Sequence, residues 1–314
     1  MTDNHQHTMV GTKLKIAFFL TIIIFFVELY GGLSSNSLAL LSDAGHVFTD
    51  LIALGLAWFA TDQVQKSADE RRTYGYHRTG ILTALVNAVT LILIVLGIGY
   101  EAVQRLQHPQ EVTPWLMFAS AVVGIVVNLY IGFGLRAEGG HNLNVRAAML
   151  HVFGDVGASA AVIVGGVIIL VTKWYLADPL ISLAIALLIA RGAWSILRET
   201  VDILMESTPK DLNVAQMVRD MMKLKTIQDV HDLHVWSLAG GIPILTAHVQ
   251  VTTDCSLSGC EATLSDLNQL LAQQYGITHT TIQFECQGCV PNHLYCRVGP
   301  PGRIEHEHGH AEKG

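Results

Sequence analysis

The chain has 314 residues, of which 51% are hydrophobic and only 14% are charged, and its mean hydropathy is +0.41. This composition is too apolar for an ordinary soluble domain and indicates a membrane protein. The formal net charge is -7 and the sequence contains no basic run, which argues against a nucleic-acid partner.

Six apolar segments are each long enough to cross a bilayer core of about 30 Å as a helix of about 20 residues. They are predicted near Leu14–Leu33, Leu38–Ala60, Thr79–Val103, Pro114–Leu135, Val145–Val171 and Pro179–Arg198. The first segment exceeds a signal-peptide core and lacks a small-residue cleavage site after it, so we expect a retained span. Asp178 is expected to cap segment six, with Pro179 at its first helical position.

Lysine and arginine are concentrated in the N-terminal tail and in the second and fourth loops. These residues are Lys13, Lys15, Lys66, Arg71, Arg72, Arg78, Arg136 and Arg146, whereas the opposite loops hold only Arg105 and Lys173. By the positive-inside rule, the N-terminus is cytosolic and six crossings return the C-terminus to the cytosol. We expect an integral membrane protein on this basis, and the location that we expect for it is a bacterial inner membrane.

From about Glu206 the pattern changes to that of a small α+β domain. The predicted elements are a helix at Leu212–Leu224, strands at His231–Leu238 and Ile244–Thr252, a helix at Glu261–Tyr275 and a strand at Thr280–Glu285. This order predicts a cytosolic ferredoxin-like sandwich after an all-α membrane domain. The predicted parts are a tail at 1–13, a membrane domain at 14–205, a cytosolic domain at 206–290 and a histidine-containing tail at 291–314.

One short pattern occurs twice within the apolar part, as His46 with Asp50 and as His151 with Asp155. A four-residue spacing places both side chains on one helix face. The two helices run in opposite directions and carry these pairs at similar depth, so two imidazoles and two carboxylates can form one tetrahedral Zn²⁺ site. Asp43 lies on the same side of segment two and is a candidate accessory ligand. The alternative is a purely structural role, in which these residues join helices by hydrogen bonds.

The sequence resembles the cation diffusion facilitator family, in its zinc-transporting branch. The resemblance rests on Ser37–His46, on Asn142–Ala148 and on both repeated pairs. It implies a homodimeric exporter, not an enzyme, that exchanges a divalent metal for protons and uses the repeated pairs as its transport site. Zinc is then the substrate and also a structural or regulatory ion, and no cofactor is expected.

The ligand types constrain both the ion and its exchange. Two imidazoles favour Zn²⁺, Cd²⁺, Co²⁺ or Ni²⁺ over the oxygen-preferring Mg²⁺ and Mn²⁺. A histidine must be neutral and a carboxylate ionised to bind metal, so protons compete with the ion. This competition predicts alternating access in which protons replace the metal at its release.

The resemblance also implies a metal site at the dimer interface of the cytosolic domain. The matching positions are His231, His248 and Glu285, and Asp232 is a candidate accessory ligand. A family relative has histidine where Gln283 stands, and the thiolates of Cys286 and Cys289 could compensate because they bind Zn²⁺ strongly. All five cysteines lie in the predicted soluble part after the last span, and their odd number without a secretory context indicates reduced thiols.

The second cytosolic loop and the tails carry weaker signals. Relatives have an additional weak metal site in this loop, but Arg72 and Tyr76 replace its histidines and leave Asp69 alone. Arg78 is expected to pair with Glu206 between the domains. The tail histidines, which are His5, His7, His306, His308 and His310, are interpreted as minor accessory metal binders.

Two other functions are open from the sequence. In the first, the cytosolic domain senses zinc and the membrane part only anchors it. In the second, the protein is an intramembrane zinc enzyme, which requires an open coordination position and typically a His-Glu-x-x-His helix, a pattern that none of the six apolar segments contains.

Overall fold

A computed structural model describes the backbone of residues 3–136, 143–252, 257–286 and 294–295, and the side chains of 18–133, 152–252, 258–286 and 294–295. The chain divides into two compact units. The first comprises Met1–Ser67 and Leu82–Arg198, and the second comprises Ala68–Ile81 and Glu199–Gly314. The loop that precedes the third span therefore belongs to the second unit.

Six long helices account for most of the first unit. They are α1 (Asp3–Ser35), α2 (Leu38–Val64), α3 (Thr79–Gln107), α4 (Pro114–Arg136), α5 (Leu143–Thr172) and α6 (Ala177–Leu204). Each contains an apolar stretch long enough to cross a membrane, as predicted. The helices α1 and α2 extend beyond the predicted limits, to Asp3 and Val64, because hydropathy locates the apolar part whereas backbone hydrogen bonding continues through polar residues.

Helix packing brings the two motif-bearing helices together. Helix α1 packs against α2 and α4, α4 packs against α5, and α2 meets α5 directly. The core of this unit includes the fully buried side chains of Leu40, Met117 and Ile169. The arrangement leaves the inward faces of α1, α2, α4 and α5 close to one another, where polar side chains must find partners in the protein.

Asp178 has a different role from the predicted one. Helix α6 begins at Ala177, and the Asp178 carboxylate accepts hydrogen bonds from the Ser37 hydroxyl at 2.5 Å and from the Leu38 amide at 2.7 Å. Asp178 therefore caps α2, with the Arg105 guanidinium 3.9 Å away. The N-terminal amides of a helix lack partners within that helix. In α2, the Asp178 carboxyl group accepts from the amides of Leu38 and Ala39, and the Ser37 side chain accepts from that of Leu40.

The second unit contains α7 (Val214–Met221), β1 (Ile227–Ala239), β2 (Ile242–Val251), α8 (Leu257–Tyr275) and β3 (His279–Glu285). The sheet order is β1-β2-β3, with an antiparallel β1–β2 pair and a parallel β2–β3 pair. Gly241, at φ 79°, permits the tight turn between the first two strands. Fully buried Met217, Leu267 and Leu271 pack in the core formed with the sheet. The ferredoxin-like α+β prediction is confirmed.

Strand register positions the polar residues of this unit. His231 on β1 lies opposite His248 on β2, and His248 lies opposite Gln283 on β3. The β1–β2 register is irregular between His231 and His234. Asp232 lies at this irregularity with φ 46°, a left-handed conformation that is uncommon for residues other than glycine.

Candidate metal centres

The first cluster of candidate ligands joins α2 to α5. His46 Nε2 lies 3.8 Å from Asp50 Oδ2 and 3.5 Å from Asp155 Oδ1. One ligand atom from each of the three residues lies within 4.8 Å of the others. Asp155 is buried, whereas His46 and Asp50 are half-buried. One imidazole nitrogen and two carboxylate oxygens thus converge, which is a donor set that suits Zn²⁺.

The antiparallel course of α2 and α5 explains this convergence. Asp43 pairs with Ser159, and His46, farther along α2, meets Asp155, which is earlier in α5. His151 lies on α5 one turn before Asp155, but its side chain is outside the described residues. The structure therefore brings together three of the four predicted ligands, and His151 remains a prediction.

Asp43 lies next to this cluster but is not one of the three convergent residues. Its side chain is buried, and Oδ2 accepts a hydrogen bond of 3.0 Å from the Ser159 hydroxyl. Asp43 thereby links α2 to α5 one turn away from His46. The structure gives it a contact that positions the two helices.

Glu28 is a buried carboxylic acid that the sequence analysis did not identify. It lies in α1 within the apolar window Phe18–Ser35 and has no exposed surface. A single acidic residue within such a window is the signal that could have revealed it, because intramembrane carboxyls are rarely retained without a function.

The second cluster of candidate ligands lies on the sheet of the second unit. His231 Nε2 lies 3.2 Å from Glu285 Oε2, and His248 Nδ1 lies 2.9 Å from Glu285 Oε1. The three residues offer ligand atoms within 4.8 Å of one another. The imidazole rings meet edge to face with centroids 5.6 Å apart. Two nitrogens and a carboxylate in this arrangement can hold a divalent metal.

The neighbours of this cluster orient it. Asp232 places Oδ2 3.6 Å from His248 Nε2 and Oδ1 3.2 Å from His234 Nε2. The Gln283 amide donates a hydrogen bond of 2.9 Å to Glu285 Oε1, so glutamine at this position supports a ligand. Cys286 is exposed and outside the three-residue cluster, and Cys289 lies outside the described residues.

The loop between α2 and α3 is held by charge and hydrogen bonds. Arg78 Nη2 lies 3.2 Å from Glu206 Oε1, and both residues belong to the second unit. Asp69 accepts hydrogen bonds from the Tyr76 hydroxyl and from the amides of Arg71 and Arg72. These bonds, the first of them most strongly, lower the pKa of Asp69. They also occupy the carboxylate oxygens that a metal would need.

Known proteins resemble the chain over nearly its whole length. The sequence pattern of the cation efflux transmembrane domain matches residues 14–205, and that of the cation efflux protein, cytoplasmic domain, matches residues 209–287. The chain is 36% identical over 313 residues to the cadmium, cobalt and zinc/H(+)-K(+) antiporter of Bacillus subtilis, a match that covers 98% of this chain and 100% of the relative.

Two further matches concern other bacteria. The chain is 39% identical to the zinc transporter ZitB of Pectobacterium atrosepticum, over 93% of this chain and 92% of the relative. It is 35% identical to a solved structure of the metal-bound C-terminal domain of the CzcD transporter from Cupriavidus metallidurans. That match covers 24% of this chain and 99% of the solved domain, with a TM-score of 0.22.

Proposed function

Because the chain belongs to the cation efflux family, we propose that it exports Zn²⁺ from the cytosol across a bacterial inner membrane in exchange for protons. It is an integral membrane protein and a divalent metal exporter, and the family consists of transporters and not enzymes. The relatives from Bacillus subtilis and Pectobacterium atrosepticum are described as transporting zinc, and the first of them also cadmium and cobalt. We propose Cd²⁺ and Co²⁺ as further substrates, and Ni²⁺ on ligand chemistry alone.

The observation that carries the proposal is the convergence of His46, Asp50 and Asp155 between two membrane helices. We assign His151, on the same helix as Asp155, as the fourth ligand. Nitrogen and carboxylate donors from α2 and α5 then surround the ion, and four protein ligands leave no coordination position for a catalytic water. Such a closed site fits a transported ion better than a hydrolytic centre.

Exchange for protons follows from the chemistry of the donors. A metal-bound imidazole is neutral and a metal-bound carboxylate is ionised, so protonation of either group weakens binding. In the proposed cycle Zn²⁺ loads from the cytosolic side, the helices rearrange, and protons from the opposite side displace the ion. Those protons return to the cytosol when the site reopens.

The distribution of lysine and arginine supports cytosolic positions for both termini. The match of residues 209–287 to the cytoplasmic dimerisation domain of the family supports a homodimer formed through this domain. We propose that His231, His248 and Glu285 bind zinc there as a structural or regulatory ion. A bilayer surrounds the six spans in this arrangement.

Transport by purified protein in lipid vesicles tests the proposal. Zinc should move when a pH gradient is imposed, Cd²⁺ and Co²⁺ should compete with it, and Mg²⁺ should not. Asp155→Ala should abolish the movement because it removes one ligand of the cluster. Asp62→Ala, at an exposed position of the same helix as His46, serves as the matched control and should behave like the unmodified chain.

Two outcomes would contradict the proposal. Zinc movement that ignores the pH gradient would remove the antiport step, and an active Asp155→Ala variant would remove the assigned site. The zinc-sensor alternative makes an opposite prediction in cells. It requires that Asp50→Ala leaves zinc tolerance intact while loss of His248 abolishes it.

A further inference from the structure

The surroundings of Glu28 differ from those of every candidate metal ligand described above. The residue is 0% exposed, and neither carboxyl oxygen has a hydrogen-bond partner among the residues that the structure describes. It lies within electrostatic range of Asp43 on α2 and Asp155 on α5, both of them acidic. No described hydrogen-bond donor compensates a negative charge at this position.

Close packing by helix α4 confines the carboxyl group. A Cβ atom at Gly124 would lie only 2.6 Å from Glu28 Oε1 and 3.3 Å from the Ser159 hydroxyl. Glycine at this position therefore leaves room for the acid between α1, α4 and α5. The Ser159 hydroxyl faces the same small space and donates its hydrogen bond to Asp43, so the space connects Glu28 with the polar residues beside the metal cluster.

An ionised carboxylate is strongly disfavoured where burial is complete and no donor or cation compensates it. The neutral acid suits this environment when the metal site is empty, because the carboxyl group is fully buried and no described donor reaches either of its oxygens. A divalent cation beside Asp155 supplies the missing positive charge and favours ionisation of a nearby acid. The charge state of Glu28 is thus tied to occupancy of the metal site.

We propose that Glu28 is a proton-carrying residue of the antiport cycle, separate from the metal ligands. This inference rests on the proposed function. When the cation binds from the cytosol, the O–H bond of Glu28 breaks and its proton leaves to water on that side. When the cation departs on the opposite side, the carboxylate takes one proton from there and carries it back. One proton is thereby exchanged at Glu28 in each cycle.

Glu28→Gln tests this role because glutamine keeps the shape of the acid but cannot release a proton. The first measurement is the number of protons released when Zn²⁺ binds the full chain in weakly buffered detergent solution. We expect about one proton fewer per chain than in the unmodified protein. Glu101→Gln makes the same chemical change in helix α3, at a carboxylate paired with Arg105, and should leave the number unchanged.

The second measurement separates metal passage from proton coupling in lipid vesicles. Exchange of labelled zinc for unlabelled zinc without a pH gradient should be retained within about threefold in Glu28→Gln, whereas accumulation driven by a pH gradient should fall at least about tenfold. A folded variant in which exchange and accumulation fall equally would overturn the proposal. Equal proton release and equal accumulation in variant and unmodified chain would also overturn it.

A measurement on the unmodified chain covers the case in which the variant does not fold. Infrared difference spectra of the full protein should lose a protonated-carboxyl band when Zn²⁺ binds, and spectra without such a loss would overturn the proposal. The failures are distinguishable. If the unmodified chain ignores the pH gradient, the antiport step and this inference fail together; if it responds and Glu28→Gln responds equally, only this inference fails.

Discussion

His46 Nε2 on α2 lies 3.5 Å from Asp155 Oδ1 on α5, and this contact joins the two copies of the His-x-x-x-Asp pattern across a helix interface. Asp50 approaches the same imidazole nitrogen to 3.8 Å from its own helix. Each helix alone offers an incomplete set of donors. The candidate transport site therefore exists only where α2 and α5 pack together, and any rearrangement of these helices changes the affinity for the ion.

Replacing His46 by aspartate should change which ion is transported. The substitution exchanges the nitrogen donor for an oxygen donor, which hardens the site and favours Mn²⁺ relative to Zn²⁺. We expect zinc transport to fall by at least about tenfold. This is the smallest loss of activity that is typical when a residue supporting a metal ligand is mutated. Competition assays in vesicles with both metals measure the ratio. His46→Gln, which supplies no ionised oxygen, is the control and should lose zinc without gaining manganese.

Removing the Asp178 carboxylate should destabilise the start of α2. Asp178→Ala deletes the bonds from the Ser37 hydroxyl and the Leu38 amide in a buried place, at a cost of about 1–3 kcal/mol for groups left without partners. Thermal unfolding of the full chain in detergent measures the loss. Asp202→Ala, on the same helix but in an exposed pair with Lys210, should cost less than about 1 kcal/mol. Equal effects of the two changes would contradict the capping role.

Loss of His248 should remove one class of zinc site from the full chain. His248 contributes a nitrogen to the cluster with His231 and Glu285, and a structural site with one ligand removed binds Zn²⁺ weakly. Zinc titration with a competing chelator should show one class of zinc site fewer in His248→Ala than in the unmodified chain. His234→Ala should keep all the sites, because its imidazole lies outside the cluster.

Asp220 should stabilise the second unit in a pH-dependent way. Hydrogen bonds from Lys223, Tyr275 and Gln216, named in order of their effect, lower the pKa of Asp220 from 3.8 to about 2. A depressed pKa means that the ionised form stabilises the fold fully above the unfolded pKa. This contribution is then lost as pH falls from about 4 to about 2. Asp220→Asn should therefore reduce protection of α7 against hydrogen exchange at neutral pH, and the difference from the unmodified chain should shrink as pH falls from about 4 through about 2.

The Tyr275 hydroxyl provides the matched control for that measurement. It donates a bond to Asp220, and burial together with the neighbouring carboxylate raises the pKa of Tyr275 to about 12. Tyr275→Phe deletes one of the bonds but keeps the charge, so it should lower protection less than Asp220→Asn and retain part of the pH dependence. If the difference in protection between Tyr275→Phe and Asp220→Asn does not change with pH, the pH-dependent role assigned to the Asp220 charge is contradicted.

Much of the architecture could be predicted from local patterns. Apolar length predicted six spans, and alternation with glycine turns predicted the α-β-β-α-β order, because both patterns depend only on neighbouring residues. The expected role of Asp178 was wrong for the same reason. Its sequence neighbours suggested a cap for α6, whereas the unsatisfied amides that its carboxylate reaches belong to α2.

The sequence by itself determined which side chains can bind a metal, because a spacing of four places His46 and Asp50 on one face of any helix. Only the tertiary structure decided which partners each polar group has. Helix rotation and depth turn Asp43 toward Ser159, bring Asp155 to His46, and enclose Glu28 beside Gly124. These contacts depend on how whole helices pack, and in a membrane interior a polar group must find its partner within the protein.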